Sequence, residues 1–244
     1  MLVCGVLAVG AWKVSRSRTF QFFGGLVPRV ETGERVVALT FDDGPTPAGT
    51  DALLPLLDSL GIAATFFVTG RELAAHPALG RRLIAAGHAL GNHSYSHQRM
   101  VLRSPSFVRR EVEETDRLIR AAGWHGAIPF RPPFGKRLLV LPWFLHRTGR
   151  TTVLWDVEPD SDADVGPRAE QIAEDAVRRV RPGSIVLLHA MYPSRAESRR
   201  AVPLIVRGLR ARGYRFVTVP QLLALPPRAA PDPASGDRPA GEHL

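Results

Sequence analysis

The feature that most constrains this chain is an alternation between short, wholly apolar runs and longer amphipathic ones. Ile185-Val186-Leu187-Leu188 is apolar at four successive positions. That is too brief for a helix buried all round, and it suits a strand covered on both faces. Similar β-prone runs at residues 36–41, 64–69, 88–91, 128–131, 151–155 and 215–219 bring the number of strands to about seven. Helical patterns lie between them. Leu53, Leu54, Leu57 and Leu60 share one face ahead of Gly61, and residues 78–86 form a helix closed by Gly87. Ser104 caps a helix with Pro105 at its first position and a buried stripe of Phe107, Val108, Val112, Thr115, Leu118 and Ile119. Further helices are expected around 137–146, 169–180 and 199–212. Strands separated by helices pair in parallel through right-handed crossovers, which makes this an α/β chain. A closed barrel and an open doubly wound sheet both satisfy the pattern.

The 244 residues suffice for one large domain, and the alternation confines it to residues 30–225. Ahead of it, residues 1–12 are almost wholly apolar and are followed by Lys13, Arg16 and Arg18. A spanning helix needs about 20 apolar residues, so this run is too short to cross a bilayer as written. It is expected to be the remainder of a signal or membrane anchor, making the protein extracytoplasmic, secreted or membrane-anchored. The plainer reading is an apolar segment that packs on the domain. Cys4 lacks the small residue that precedes a lipid-modified cysteine. Residues 226–244 carry Pro227, Pro231, Pro233 and Pro239 among small and charged residues, too little apolar surface to offset ordering, and are expected to be disordered.

One cysteine excludes a disulfide framework and any metal site built on several thiolates. A metal site would have to use carboxylates and the eight histidines. The formal charge of +9 comes from arginine, since lysine occurs only at Lys13 and Lys136. The arginine pairs at 81–82, 109–110, 178–179 and 199–200 are scattered over helices without interleaved aromatics, so a nucleic-acid partner is not expected. A basic surface could still favour an anionic cell wall.

The polar residues cluster where predicted strands end. Asp42 and Asp43, His93 and His97, Arg131, the acidic stretch 156–164 and His189 each follow a strand, and sites in α/β folds form at those carboxyl ends. An Asp-Gly turn explains one of Asp42 and Asp43; a second adjacent carboxylate is costly unless a cation stands nearby. His93 and His97 are spaced i, i+4, so one helical turn would bring both imidazoles to one metal ion. A pair of surface histidines at a helix start has the same spacing. Adding a carboxylate gives two histidines and an aspartate, with positions left for water and substrate. Arg131 precedes two prolines, either as a surface residue before a kink or as the partner of a carboxylate. His189 ends a buried strand, where a satisfied core histidine is the alternative.

Thr40-Phe41-Asp42-Asp43-Gly44-Pro45, His93-Ser94-Tyr95-Ser96-His97, Arg131-Pro132-Pro133-Phe134-Gly135 and Ser184-Ile185-Val186-Leu187-Leu188-His189 together resemble the polysaccharide deacetylase family, the NodB homology domain of carbohydrate esterase family 4. The segments stand in the family's order across roughly residues 36–220. The resemblance implies a distorted (β/α) barrel of about seven parallel strands in a single domain. It makes Asp43, His93 and His97 the ligands of a divalent metal, most often Zn²⁺. Asp42 becomes the general base, paired with Arg131, and His189 the general acid. The Phe134 N–H would face the developing oxyanion, and Leu187 would line the pocket for the acetyl methyl. The implied substrate is an acetylated glycan of the N-acetylglucosamine type, peptidoglycan or chitooligosaccharide. Two other readings are a small-molecule acylated amine at the same site and a non-catalytic glycan-binding relative, although no base, acid or ligand is missing.

One segment departs from the family pattern. Where the family shows Trp and then an aspartate pair ending in Asp-Trp, this chain reads Trp155-Asp156-Val157-Glu158-Pro159-Asp160-Ser161-Asp162. The spacing from Trp155 puts Ser161 where the aspartate supporting the acidic histidine would fall. Asp160 or Asp162 could take that part. His76, His88, His125, His146 and His243 have no assigned role.

Overall fold

The computed structural model describes residues 2–226, with the side chains described from residue 9 onward. The expected disordered tail therefore lies, from residue 227 on, outside the described residues. The chain opens with helix α1 (Leu2–Arg16), followed by a two-residue strand β1 (Leu26–Val27). No helix among the described residues is long and apolar enough to cross a membrane.

Strand β2 (Val36–Asp42) is the centre of the fold, buried at all seven positions. It pairs in parallel with β3 (Thr65–Val68) on one edge and with β6 (Ser184–Leu188) on the other, in the registers Thr40↔Thr65 and Phe41↔Leu188. β3 pairs with β4 (Ala89–Asn92). The circuit then closes through single residues: Asn92 bridges Phe130, Phe130 bridges Thr152 of β5 (Thr152–Val153), and Val157 bridges Val186. β1 pairs with β5, and β7 (Arg215–Phe216) pairs with the first two residues of β2. The result is a distorted (β/α) barrel, which the resemblance implied and the alternation allowed.

Period-two alternation sorts the strand side chains into two layers. Val37, Leu39 and Phe41 face outward to the helices, whereas Val36 and Ala38 share an interior cluster with Ile185, Leu187, Phe67 and Leu154. Thr40 and Asp42 thus fall on the interior face of β2, and His189 continues the interior row 185, 187. Burying each large outer residue contributes about 1.5–3 kcal/mol.

The helices begin where local chemistry starts them. α2 (Pro47–Ser59) is capped by Thr46, whose side chain accepts from Gly49 N, and buries Leu53 and Leu57. α3 (Gly70–Ala75), not anticipated from the sequence, is capped by Thr69 and precedes α4 (Pro77–Ala85). α5 (Pro105–Ala121) has the expected Ser104 cap and Pro105, and its buried face holds Val108, Val112, Thr115 and Ile119. Glu111 and Asp116 are buried on that face as well. α6 (Val140–Arg147), α7 (Ala169–Arg179), α8 (Ala196–Ala211) and the short α9 (Val219–Leu223) complete the set.

Three expected strands are markedly shorter than read, and that at 151–155 keeps only Thr152–Val153. Of residues 128–131 only Phe130 forms bridges, because Pro129, Pro132 and Pro133 flank it and offer no N–H to a ladder. The last strand stops at Phe216, since Thr218 turns the chain into α9 with a capping box.

Residues 15–27, read above as preceding the domain, pack onto it. Arg137, 1% exposed, donates to the carbonyls of Ser17 and Phe20 and to Gln21 Oε1, and its own N–H donates to Ser15 O. Gly183 accommodates the segment that follows the strap, residues 30–32. Its φ is +77°, and a Cβ there would lie 1.8 Å from Val30 O, so no other residue fits.

Candidate active site

A cleft of about 500 Å³ opens at the carboxyl ends of the strands, lined by Asp42, Asp43, His93, His97, Phe134, Trp155, Leu187 and His189 among others. The barrel interior thus delivers to one place eight of the ten residues singled out in the sequence. The other two, Arg131 and Asp160, stand directly behind it.

Asp42, 2% exposed, ends β2 and meets Arg131, whose Nη1 donates to Asp42 Oδ1 at 2.7 Å and to Thr40 Oγ1 at 2.8 Å. Arg131 is wholly buried; its Nη2 donates to Leu154 O at 3.0 Å and its guanidinium lies 3.9 Å over the Phe67 ring. A buried cation beside one carboxylate oxygen keeps Asp42 oriented and leaves Oδ2 free, 3.5 Å from His93 Nε2.

Asp43 continues from β2 with φ 77°, a left-handed geometry that turns its side chain back toward the histidines. His97 Nε2 lies 3.1 Å and His93 Nε2 3.5 Å from Asp43 Oδ1. His93 Nδ1 sits 2.8 Å from the carbonyl of Arg131 and can only donate to it, which leaves Nε2 facing the aspartates. Although burial opposes it, the close approach and charge of the His93 and His97 imidazoles hold the Asp43 carboxyl well below the usual range. Burial likewise opposes charging His93, yet Asp42 and Asp43 raise its pKa.

The two imidazoles meet without a helix. Residues 93–97 form a loop with positive φ at Ser94 (64°) and His97 (56°), so the one-turn geometry expected from the i, i+4 spacing is corrected. Local hydrogen bonds take the backbone elsewhere: Asn92 Oδ1 accepts from Ser94 N, and Ser94 Oγ from His97 N. Glu111 of α5 then clamps the loop, accepting from Tyr95 N at 3.0 Å and from both Ser96 N and Ser96 Oγ at 2.8 Å. Sequence reading missed Glu111, although its place among Val108, Val112 and Thr115 marks it as an acid on a buried face. Glu111→Ala is expected to weaken metal binding about 10–100-fold, with Glu111→Gln in between. Titration of the metal-free protein with Zn²⁺ against a competing chelator measures it, and wild-type affinity in the alanine variant would show that the loop holds itself.

The donor set fits a divalent ion. Ligand atoms of Asp43, His93 and His97 lie within 4.8 Å of one another. Asp43 Oδ1 is buried yet accepts no hydrogen bond, an orphaned oxygen pointing at two imidazole nitrogens. Such an atom is costly unless a cation satisfies it, and two histidines with one carboxylate suit zinc and related ions.

His189 faces the cleft from the end of β6. Its Nδ1 lies 3.3 Å from Asp160 Oδ1 and 3.1 Å from Ser161 Oγ, and its N–H donates to Asp160 Oδ2 at 2.6 Å. Ser198 Oγ donates to the same carboxylate. Asp162 instead pairs with Arg179 at 3.0 Å. Of the two candidates, Asp160 is the one that touches His189. Burial pulls the imidazole down, but the hydrogen bond and charge of Asp160, with Asp42 and Asp43, raise its pKa to about 9. Trp155 donates from Nε1 to Glu158 Oε2 at 2.6 Å. Glu158, another lining residue the sequence did not single out, also receives Arg18 Nη2 at 3.1 Å.

Known proteins agree with this geometry. The polysaccharide deacetylase signature matches residues 29–153, half of the chain. This chain belongs to the polysaccharide deacetylase family. It is 35% identical to a chitooligosaccharide deacetylase of Bradyrhizobium over 204 residues, 78% of this chain and 92% of that protein. A peptidoglycan-N-acetylglucosamine deacetylase of Bacillus cereus is 32% identical over 195 residues, 80% of this chain and 91% of the relative. Among solved structures, a family 4 acetyl xylan esterase from Clostridium thermocellum, in complex with a cobalt ion, superposes with a TM-score of 0.70 at 34% identity, covering 77% of this chain and 90% of that one. As a member of the family, the chain carries its signature segments around a single cleft.

Proposed function

We propose that this deacetylase removes N-acetyl groups from an N-acetylglucosamine-type glycan of the cell envelope, with a divalent metal, most readily Zn²⁺, held by Asp43, His93 and His97. The observation that carries the reading is the convergence of Asp42, the Asp43–His93–His97 cluster and the Asp160–His189 pair on one cleft. The ion would supply Lewis acidity toward the acetyl carbonyl and the attacking water. Asp42, its Oδ2 free beside the cluster, takes the proton from water as the acetyl carbon is attacked. Arg131, donating to Oδ1 at 2.7 Å, keeps that carboxylate aimed. The Phe134 N–H supports the developing oxyanion, a donor of a kind typically worth about 10²–10³ in rate. His189, with Nδ1 engaged by Asp160, presents Nε2 and protonates the departing amine. Leu187, buried at the cleft floor, packs against the acetyl methyl.

Acetate release from acetylated glycans, measured before and after chelation and again after Zn²⁺ is restored, is the test. Activity should disappear with the metal and return with it. A metal-loaded protein that releases acetate from small acylated amines but from no glycan would overturn the substrate assignment. The envelope polymer lies outside the cytoplasmic membrane, and the enzyme would act there; fractionation of cells making the full chain checks this.

His189 must be protonated to act, so its pKa sets the basic limb of the rate profile. At about 9 it keeps the acid loaded well past the ordinary imidazole value of about 6.5; a bound divalent ion lowers it from there. Asp160→Asn removes the partner that raises it and leaves burial, which lowers it. The basic limb of kcat should therefore move to lower pH, with the rate falling about 10-fold or more at pH 8. An unmoved limb would reject Asp160 as the supporting acid.

A further inference from the structure

Resting on that reading, we infer that the cleft mouth is built to take a carboxylate of the substrate, so that the preferred glycan bears acidic groups and is not a neutral N-acetylglucosamine chain. Four cationic side chains line the cleft: Arg16 at the end of α1 and Arg18 just after it, Lys136 after the Arg131 turn, and Arg195 just ahead of α8. They come from three separate parts of the chain and meet only in the fold. Arg18 is matched by Glu158 at 3.1 Å. Arg16, Lys136 and Arg195 form no ion pair with any acid among the described residues; Arg16 rests instead on the Trp12 ring at 4.7 Å. Arg99 adds a further cation beside the mouth, 5.3 Å over the Phe134 ring.

On the outer helix faces some arginines hold a carboxylate (Arg82, Arg117, Arg178 and Arg200) and others, such as Arg81, Arg109, Arg110 and Arg207, form no ion pair among the described residues. What sets the rim apart is that its cations gather from three parts of the chain around one cleft. The acids in the cleft are themselves committed: Asp42 to Arg131, Asp43 to the histidine cluster, Glu158 to Arg18 and Trp155. Positive charge is therefore in surplus at the rim. Partial burial, then Arg16 and Arg99, lower the pKa of Lys136, so these cations stand close enough to repel one another. Like charges gathered around a low-dielectric cleft focus its field on an incoming anion, and the guanidinium fork matches a carboxylate in shape. The carboxylate could belong to the sugar, as in a lactyl ether, or to a peptide carried on it.

The test is kcat/KM of the full-length, metal-loaded protein on four substrates. These are a chitooligosaccharide, a glycan alternating N-acetylglucosamine with N-acetylmuramic acid, the same glycan with its lactyl carboxyls amidated, and the same glycan bearing peptides. The free acid should exceed its amidated form about tenfold at low salt, and the ratio should shrink as salt rises from about 20 mM to about 500 mM. In an Arg16→Gln/Arg195→Gln variant the acid-to-amide ratio should fall to within about twofold of unity. A preference confined to the peptide-bearing glycan assigns the carboxylate to the peptide and upholds the inference. Equal rates on acid, amide and chitooligosaccharide at every salt concentration would overturn it, as would a variant that loses all substrates in equal proportion. No acetate from any of the four would instead overturn the deacetylase reading beneath it.

Discussion

Asp42→Asn is expected to lower kcat for acetate release by about 10²–10⁴-fold while the protein keeps its metal. The asparagine amide matches the carboxylate in size and still offers Oδ1 to Arg131, but it cannot accept a proton from water. The proposed metal donors are Asp43, His93 and His97, so ion content should be unchanged. The two neighbouring aspartates thus separate into distinct tasks because the chain turns between them. Asp42 follows the extended geometry of β2 into the barrel, and Asp43, at φ 77°, swings to the histidines. Single-turnover rates together with elemental analysis of the purified variant check this. Activity within about tenfold of wild type, with metal bound, would remove Asp42 from the role of base.

Arg131→Met should be the most destabilising single change in the site, costing about 3–5 kcal/mol. Arg131 ties its own segment to two other pieces of barrel wall: Thr40 and Asp42 of β2, and the carbonyls of Val153, the last residue of β5, and Leu154. Removing it leaves a buried Asp42 carboxylate without its cation and several carbonyls without donors. A domain of this size typically has about 5–15 kcal/mol in total, so the loss is a large share. Urea unfolding in the presence of chelator, where metal binding does not add to stability, measures it. Pairing the change with Asp42→Leu should restore part of the loss, because an apolar pair avoids the stranded charge. A single variant losing less than about 1 kcal/mol would show that the ion pair is stabilised far less than its burial implies.

These expectations separate what the chain makes legible locally from what it does not. The strand–helix alternation, the Ser104–Pro105 start of α5 and the stops at Gly61 and Gly87 were readable because each rests on neighbouring residues alone: periodicity, caps and breakers. The position of Asp42 and His189 at strand ends was readable too; their interior face was not, because runs apolar at every position hide which face turns inward. The loop of residues 93–97 was not. Its i, i+4 spacing suits a helix, but Glu111, fourteen residues beyond His97, captures the backbone N–H groups a helix would have used. Spacing on a chain does not report which distant acceptor will compete for those donors.

The sequence by itself determined the α/β class and the residues at the strand ends, which follow from short-range pattern, and its motif segments carried the resemblance that implied the family and the candidate metal donors. Only the tertiary structure chose Asp160 over Asp162, reduced the fourth strand to Phe130, and brought Arg16 and Arg18 from the N-terminal strap to the rim of the cleft. Those outcomes depend on contacts between segments up to about 140 positions apart, as between Arg18 and Glu158. Such contacts are set by which backbone groups remain unpaired once the barrel has closed.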